Sequence, residues 1–459
     1  MLDLALAGFI ALLLAMGMRR PFLWVLAYVY VDIVAPQKFS YFLLASIPLS
    51  LIVFLAAFGG WLFADNKQGA RFTYRQGLMI VLLLYCGYTT LTADFAVEAL
   101  SKWSWVWKAL VFAIFLPLTL RTRLRIEGTV LAMVLAASSI VITGGIKTAA
   151  GGGGYGSLHF FVNDNTGLYE GSIISCVAIA IVPLVLWLAK FGTVFPSDWR
   201  VKLFAGALIF ACLLIPVGTQ ARTGLICIGV LAMLYLRSTK RKFLYMGLIG
   251  AAGIMAVPFL PQSFTQRMST IENHEADESA STRLAVWAWT WEYAKDHPLG
   301  GGFEAYRGNK ISYEAKSTQS SGNTTEVQKT AIQDEGRAFH SSYFEMLGEQ
   351  GWPGIFIWGF LHLSGLWQME RIRRRWKSRT GPSEHWQAPL ATALQQAHIV
   401  YLVGSLFVGI AFQAFILMLI GVQCGLWSYL KRIDSPRPSL LRGPRKLQPL
   451  GTSSASPAA

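Results

Sequence analysis

The sequence has few charged residues for its length. Of its 459 residues, 14% are charged and 54% are hydrophobic. A soluble protein carries about a quarter charged residues, so this deficit excludes an ordinary soluble chain and predicts a membrane protein. The apolar residues form runs of about twenty, which indicates membrane helices rather than the short alternating strands of a barrel. The net charge of +15 does not indicate a nucleic-acid partner, because Lys and Arg lie in short clusters between apolar runs.

Several signatures of other protein classes are missing. The five cysteines lie inside apolar runs without metal-ligand spacing, which favours packing residues over disulfides. The glycine run at 151–154 is neither a dinucleotide fingerprint nor a P-loop. No nucleophile elbow is present, and no internal repeat of the kind found in transporters. No signal-peptide cleavage site follows the first apolar run, so we expect that run to be retained as a span.

The apolar runs predict an all-α polytopic membrane protein with 12 or 13 transmembrane helices. The last run is long enough to be either one projecting helix or a hairpin broken near Gly404 or Gly409. The predicted spans are 2–18, 21–35, 40–64, 77–93, 103–120, 126–146, 168–189, 202–217, 223–236, 242–260, 341–367 and 395–430.

The charges between the spans predict their orientation. Five basic clusters fall in alternate connectors, so all five can face the cytoplasm together. They lie at 67–75, 121–125, 190–202, 237–242 and 371–379. The other connectors then face the exported side. Arg19 and Arg20 would place the N-terminus outside, whereas the basic C-terminal tail prefers the inside, and both conditions hold only if the last run is a hairpin.

The largest connector is a polar, mildly acidic loop at 261–340. It is too polar to span a membrane and too long to be a simple link. With it, the chain divides into five predicted regions. These are an N-terminal transmembrane region at 1–120, a central one at 121–260, the loop at 261–340, a C-terminal transmembrane region at 341–430 and a disordered basic tail at 431–459.

The exported connectors contain the residues that we consider for function. Arg222, in GTQARTG, breaks the positive-inside pattern and either binds a phosphate anion or reaches lipid headgroups. Arg283 begins a Trp-rich amphipathic helix, in which Ser281 or Thr282 would cap; it is either a functional cation or an ordinary surface residue. The Trp residues favour membrane-interface anchors over sugar-stacking platforms.

His340 precedes the first apolar run after the loop. It is a candidate proton acceptor near neutral pH, and the alternative is a packing or capping residue. Asp334, Glu335 and Glu345 are near it in sequence and could orient it or replace it as base. In the connector before the seventh span, Asn163 and Asn165 flank Asp164; helix capping and substrate contact explain them equally well.

Taken in order, these segments resemble a known family. They are VNDNTGLYEG, TQARTG, RMSTI at 267–271, a Trp-rich helix leading into HPLGGGFEAY, and FHSSYFEMLGEQGWPG. This order resembles the O-antigen ligase / Wzy-C superfamily of bacterial inner-membrane glycosyltransferases, and is most similar to the O-glycosylation ligase branch associated with exosortase systems. The likeness extends to about residue 430.

The resemblance implies a GT-C-like helical fold with one large periplasmic loop between late spans. It implies transfer of a glycan from undecaprenyl diphosphate to a hydroxyl of lipid A core, a protein or a glycan, without metal or cofactor. His340 corresponds to the family's essential loop His, and Arg222 and Arg283 to its functional arginines. Arg267, Asn163 and Asn165 then become candidate substrate-binding residues, although the usual Asp-Pro-Asn is here Asn-Asp-Asn.

The residue chemistry fits such a reaction. Two arginines can neutralise a diphosphate leaving group, and a His can accept the proton of an acceptor hydroxyl. A polymerase that uses a second lipid-linked glycan as acceptor would need the same residues. A polysaccharide or lipid transporter is the less favoured alternative, because mid-span charges are few.

Overall fold

The structure is a computed structural model of the chain. It describes residues 2–38, 40, 43–67, 69–151, 167–237, 241–256, 260, 264–265, 278–321, 324–379, 381 and 384–434.

Fourteen α-helices account for most of the described chain, as the long apolar runs predict. They are α1 (Leu2–Arg19), α2 (Phe22–Val34), α3 (Leu49–Gly59, extended by a π-turn at Gly60–Ala64), α4 (Tyr74–Leu91), α5 (Ala96–Thr119), α6 (Arg123–Gly151), α7 (Gly171–Phe191), α8 (Trp199–Gly218), α9 (Arg222–Arg237), α10 (Lys242–Ala256), α11 (Glu278–Asp296), α12 (Ser342–Trp376), α13 (Gln387–Gly404) and α14 (Ala414–Asp434). All but α11 coincide with predicted spans.

The protein is a mostly helical, polytopic membrane protein. Among the described residues, five helices are both long enough and apolar enough to cross a bilayer, namely α5, α6, α7, α8 and α14. Most of the other helices pack against these five, whereas α1 packs against α2 and α10 against α9.

The basic connectors meet at one end of the bundle, which we call the basic end. Arg125 forms an ion pair with Asp65 at 2.7 Å, and Arg123 donates to the Phe191 carbonyl at 2.7 Å. Arg379 pairs at 3.0 Å with Asp434, the last residue of α14. Within the described residues, four of the five predicted clusters therefore lie together, and the C-terminal helix ends beside them.

The opposite end carries the large loop, and we call it the loop end. The backbone N–H of Asp94, between α4 and α5, donates to the Gly301 carbonyl at 2.9 Å. The hydroxyl of Tyr169, before α7, donates to the Val34 carbonyl at the end of α2. Alternate connectors therefore lie at opposite ends, as the charge pattern predicts.

The last apolar run is a hairpin, one of the two predicted alternatives. Helix α13 ends at Gly404, and α14 begins at Ala414. A Cβ on Gly404 would overlap the Cys176 and Cys227 sulfurs, so this glycine lets α13 pack closely against α7 and α9. The Tyr401 hydroxyl donates to the Ile410 carbonyl at 2.9 Å and closes the turn.

The all-α prediction was wrong within the loop. Two antiparallel strands, β1 (Lys310–Ser321) and β2 (Thr324–Glu335), form a hairpin that rests on α11. Ile311 and Tyr313 of β1 are buried with Val286 and Phe339 in a small apolar cluster. The two strands contain few large apolar residues, so the sequence showed too few alternating positions to indicate strands.

Candidate active site at the loop end

His340 lies in a two-residue link, His340 and Ser341, between Phe339 of the small apolar cluster and the start of α12 at Ser342. Its φ is 49°, in the left-handed region, which costs a non-glycine residue about 1–2 kcal/mol. Such conformations persist only where the surroundings impose them, and they concentrate at functional sites. The link therefore requires support from both sides.

The support before His340 comes from α11. The indole N–H of Trp287 donates to the Phe339 carbonyl at 2.8 Å, and its ring stacks on Phe344 with centroids 5.0 Å apart. Phe339 is buried, 3% exposed. The predicted Trp-rich helix thus has a second use besides any contact with a membrane, because it fixes the backbone next to the candidate base.

The support after His340 comes from the connector between α13 and α14. The backbone N–H of Ser342 donates to the Ser405 carbonyl at 2.8 Å, and its hydroxyl donates to the Val408 carbonyl at 3.0 Å. The same hydroxyl accepts the N–H of Ile410 at 2.9 Å. Ser341 occupies the N-cap position of α12 without a side-chain capping bond. Both ends of the link are therefore tied to tertiary contacts.

Two arginines lie close enough to His340 to affect its titration. Dehydration lowers the pKa of the imidazole, and the positive charges of Arg283 and Arg337 lower it further. The residue as a whole is nevertheless exposed. The site therefore favours a neutral imidazole, the form that accepts a proton.

Arg283 lies in the second turn of α11, because this helix begins at Glu278. The expected caps, Ser281 and Thr282, are inside the helix, so this part of the prediction was wrong. The helix start was predicted too late in the chain, because the first residues of the helix are polar and show no apolar residues at helical spacing. The Nε atom of Arg283 is buried, and the residue as a whole is half-buried.

Arg222 is the first residue of α9, at the same end of the bundle as His340. The Cys227 thiol of α9 lies 3.7 Å from the Val400 carbonyl of α13, and Ser405 after α13 accepts the bond from Ser342 described above. Helix packing thus places the start of α9 near the level of the link. Gln220 has φ 53°, so a second strained residue occurs beside a candidate arginine.

The remaining candidate residues are outside the described part of the chain. They are Arg267, Asn163 and Asn165, together with the motif residues around them.

The acidic residues near His340 have other contacts. Asp334 pairs with Arg337, and Glu335 lies 3.5 Å from Lys310. Glu345 points away from the link toward α5, where it meets Lys102 at 2.7 Å. Within the described residues, no three His, Cys, Asp or Glu side chains are grouped as a metal site would require.

Sequence reasoning missed a buried charge cluster beneath the link. The Lys102 ammonium bonds Glu345 at 2.7 Å and Glu349 at 2.8 Å, and Glu349 is fully buried. Glu345 and Glu349 follow Lys102 in the chain by 243 and 247 residues. The only sequence signal was a lysine near the start of an apolar run, which is also typical of an ordinary helix end.

Comparison with protein families gives two matches. Residues 205–359 match the O-antigen ligase family, and this range contains Arg222, Arg283 and His340. This part of the chain is therefore an O-antigen ligase domain. Residues 1–193, which include Lys102, match a family of unknown function (DUF5935). No curated protein matches the chain.

The O-antigen ligase domain associates the chain with glycan transfer or polymerisation at a membrane, with a lipid-linked glycan and an acceptor as partners in general. The match ends within α12, at residue 359. The connector that holds Ser342 is therefore supplied from outside the matched range, as is Lys102.

Proposed function

We propose that the protein transfers a glycan from undecaprenyl diphosphate to an acceptor hydroxyl, with His340 as the base and Arg222 and Arg283 as the clamp for the diphosphate. The main support is the state of His340. Its backbone is strained and fixed on both sides, and its pKa is lowered by dehydration and by Arg283. Backbone strain that the surroundings impose is concentrated at functional sites.

The chemistry proceeds in one displacement. The imidazole accepts the proton of the acceptor hydroxyl, whose oxygen forms a bond to the anomeric carbon of the glycan. The bond from that carbon to the diphosphate oxygen breaks, and the electron pair leaves with undecaprenyl diphosphate. Guanidinium groups stabilise the added negative charge best in a partly dry site, since they provide paired donors of fixed geometry. The mechanism requires no metal or cofactor.

The donor would approach from the membrane. We propose thirteen spans in the bacterial inner membrane, with the basic end in the cytoplasm and the loop end in the periplasm, because the helices other than α11 alternate between the two ends. Arg267, Asn163 and Asn165 would contact the substrate, and membrane lipids would surround the isoprenoid. The acceptor would be a hydroxyl of lipid A core, a protein or a glycan.

The test is transfer in membranes with purified protein, undecaprenyl-diphosphate-linked glycan and each acceptor class. His340→Asn removes the base but tolerates the left-handed backbone, since Asn adopts this conformation more readily than most residues. We expect the rate to fall about 10²–10⁴-fold, the usual contribution of a general base. His385→Asn, an exposed histidine at the basic end, is the matched control and should retain full activity.

The arginines are tested in the same assay. Arg222→Gln and Arg283→Gln should each slow transfer and the release of free undecaprenyl diphosphate. Wild-type transfer by His340→Asn would refute the base assignment. A product made of two joined lipid-linked glycans would identify a polymerase. Movement of glycan across the membrane without transfer would favour a transporter.

A further inference from the structure

The region of unknown function, residues 1–193, contacts two segments that lie next to the candidate active site. The turn between α4 and α5 binds the glycine run that follows α11, through the bond from Asp94 to Gly301. The Tyr85 hydroxyl donates to the Leu299 carbonyl at 2.8 Å, just before that run. Thr89 donates to the Gln350 side chain of α12 at 2.7 Å. This surface therefore holds two segments of the O-antigen ligase domain at once.

The glycines are required by these close contacts. Gly302 has φ +77°, and a Cβ there would lie 2.6 Å from the Thr89 carbonyl oxygen. Gly300 has φ +84° and lies against the backbone of α12, where a Cβ would be 2.5 Å from the Glu349 carbonyl oxygen. The glycine run is thus packed between the region of unknown function and α12.

Lys102 connects this surface to the start of α12. Its ammonium bonds one oxygen of Glu345 and both oxygens of Glu349, the latter at 2.8 and 3.0 Å. The Lys102 and Glu345 side chains are 12% and 8% exposed, and that of Glu349 is 0% exposed. Because one cation serves two buried carboxylates, its removal would leave like charges together in a dry site.

Each carboxylate also holds a different part of the loop end. Glu349 accepts the backbone N–H of Glu304 at 3.0 Å, at the end of the glycine run. Glu345 accepts the N–H of Ala411 at 3.1 Å, in the connector that binds Ser342. Glu345 is also one helical turn after Ser341, whose carbonyl accepts its backbone N–H at 2.8 Å. The cluster therefore fixes the helix start from which the His340 link extends.

We propose that the region of unknown function is a platform for the catalytic loop, and that Lys102 is its positioning residue, which acts on His340 through Glu345 and Glu349. This inference depends on the proposed function only for its kinetic consequences. The platform is defined by structural contacts, so it can be tested without measuring glycan transfer.

The first measurement is amide hydrogen exchange of the full-length protein in detergent or nanodiscs. Lys102→Met retains most of the side-chain volume and removes the charge. We expect peptides covering residues 298–306 and 338–346 to exchange at least about tenfold faster, because the bonds that protect them lose their anchor. Lys108→Met is the matched control: it lies on the same helix, bonds Ser50 at 3.4 Å, and should leave these peptides unchanged.

The second measurement is steady-state transfer with Lys102→Met, Glu349→Gln and the double variant. We expect kcat to fall about 10²-fold in Lys102→Met with the donor KM unchanged, since a displacement of the base of about 1 Å has that effect. The double variant should be no slower than the slower single variant, because the two residues act as one unit. Lys102→Arg should recover part of the rate.

The outcomes separate the two proposals. Faster exchange together with the kcat loss and non-additivity supports the platform. Unchanged exchange in Lys102→Met overturns it, whether or not transfer falls, and so do multiplicative effects in the double variant. If the wild type transfers no glycan, the proposed function fails, while the exchange result still decides whether the platform exists.

Discussion

The bond from Trp287 to the Phe339 carbonyl offers a sharp test of the site, because it can be removed with little change in shape. Trp287→Phe loses the indole N–H and keeps an aromatic ring against Phe344. Stacked aromatic pairs contribute about 0.5–1.5 kcal/mol beyond their buried area, and much of this should remain. The main effect is therefore loss of one hydrogen bond to a buried carbonyl.

The size of that effect decides the outcome. A buried acceptor left without its donor costs about 1–3 kcal/mol. The left-handed conformation of the next residue, His340, costs about 1–2 kcal/mol. The cost of the unpaired carbonyl is similar to the cost of the left-handed conformation. Without the bond, His340 should therefore relax to an ordinary backbone conformation in a large fraction of molecules. A shift of 1–2 kcal/mol reduces the competent population about 5–30-fold.

The assay is the initial rate of glycan transfer at matched expression, with thermal stability measured in detergent. We expect Trp287→Phe to lose about 5–30-fold in rate and little in melting temperature, since the bundle is untouched. Trp291→Phe, one turn further along α11 and 47% exposed, is the control and should be near wild type. A folded Trp287→Phe protein within twofold of the wild-type rate would refute the reasoning, as would an equal loss in both variants.

Two further predictions follow from charge and packing. Arg283→Gln should raise the pKa of His340 toward its ordinary value, since one of the positive charges that lower it is removed. The acid limb of the pH profile of kcat/KM should then move to higher pH. An acid limb that stays in place or moves to lower pH would contradict the assigned contact. Gly302→Ala should destabilise the loop end by about 1–3 kcal/mol, because its positive φ and the close Thr89 carbonyl both exclude a methyl group; thermal unfolding in detergent measures this, and an unchanged melting temperature would show that the close packing is not needed.

Much of the fold follows from local sequence patterns. Apolar runs of about twenty residues predict helices, because in lipid every backbone polar group must be bonded within its own segment. Twelve predicted runs correspond to thirteen helices, and the extra helix comes from the hairpin that the basic tail already favoured. The alternation of basic connectors predicted the two ends, and the pairing of Arg125 with Asp65 shows that such connectors do meet.

The candidate site was only partly predictable. The sequence indicated His340 and Arg283 as two separate candidates, each with a structural role as its alternative. The structure adds that the two residues are close enough for the charge of Arg283 to lower the pKa of the imidazole. The role of Trp287 was not predictable, because an interfacial tryptophan and one that supports a backbone carbonyl have the same sequence pattern. The β-hairpin was missed since its two strands are polar over most of their length.

Hydrophobicity and charge act along the chain and need no partner, so they are enough to predict the class of protein, the helices, the charge asymmetry of the two ends and the residue types available for catalysis. The conformation of His340 and the cluster of Lys102 with Glu345 and Glu349 depend instead on tertiary contacts. A left-handed backbone persists only under external constraint, and a buried lysine is tolerated only with carboxylates that the chain supplies more than 240 residues later. Such features depend on which surfaces fold together, and no local pattern records them.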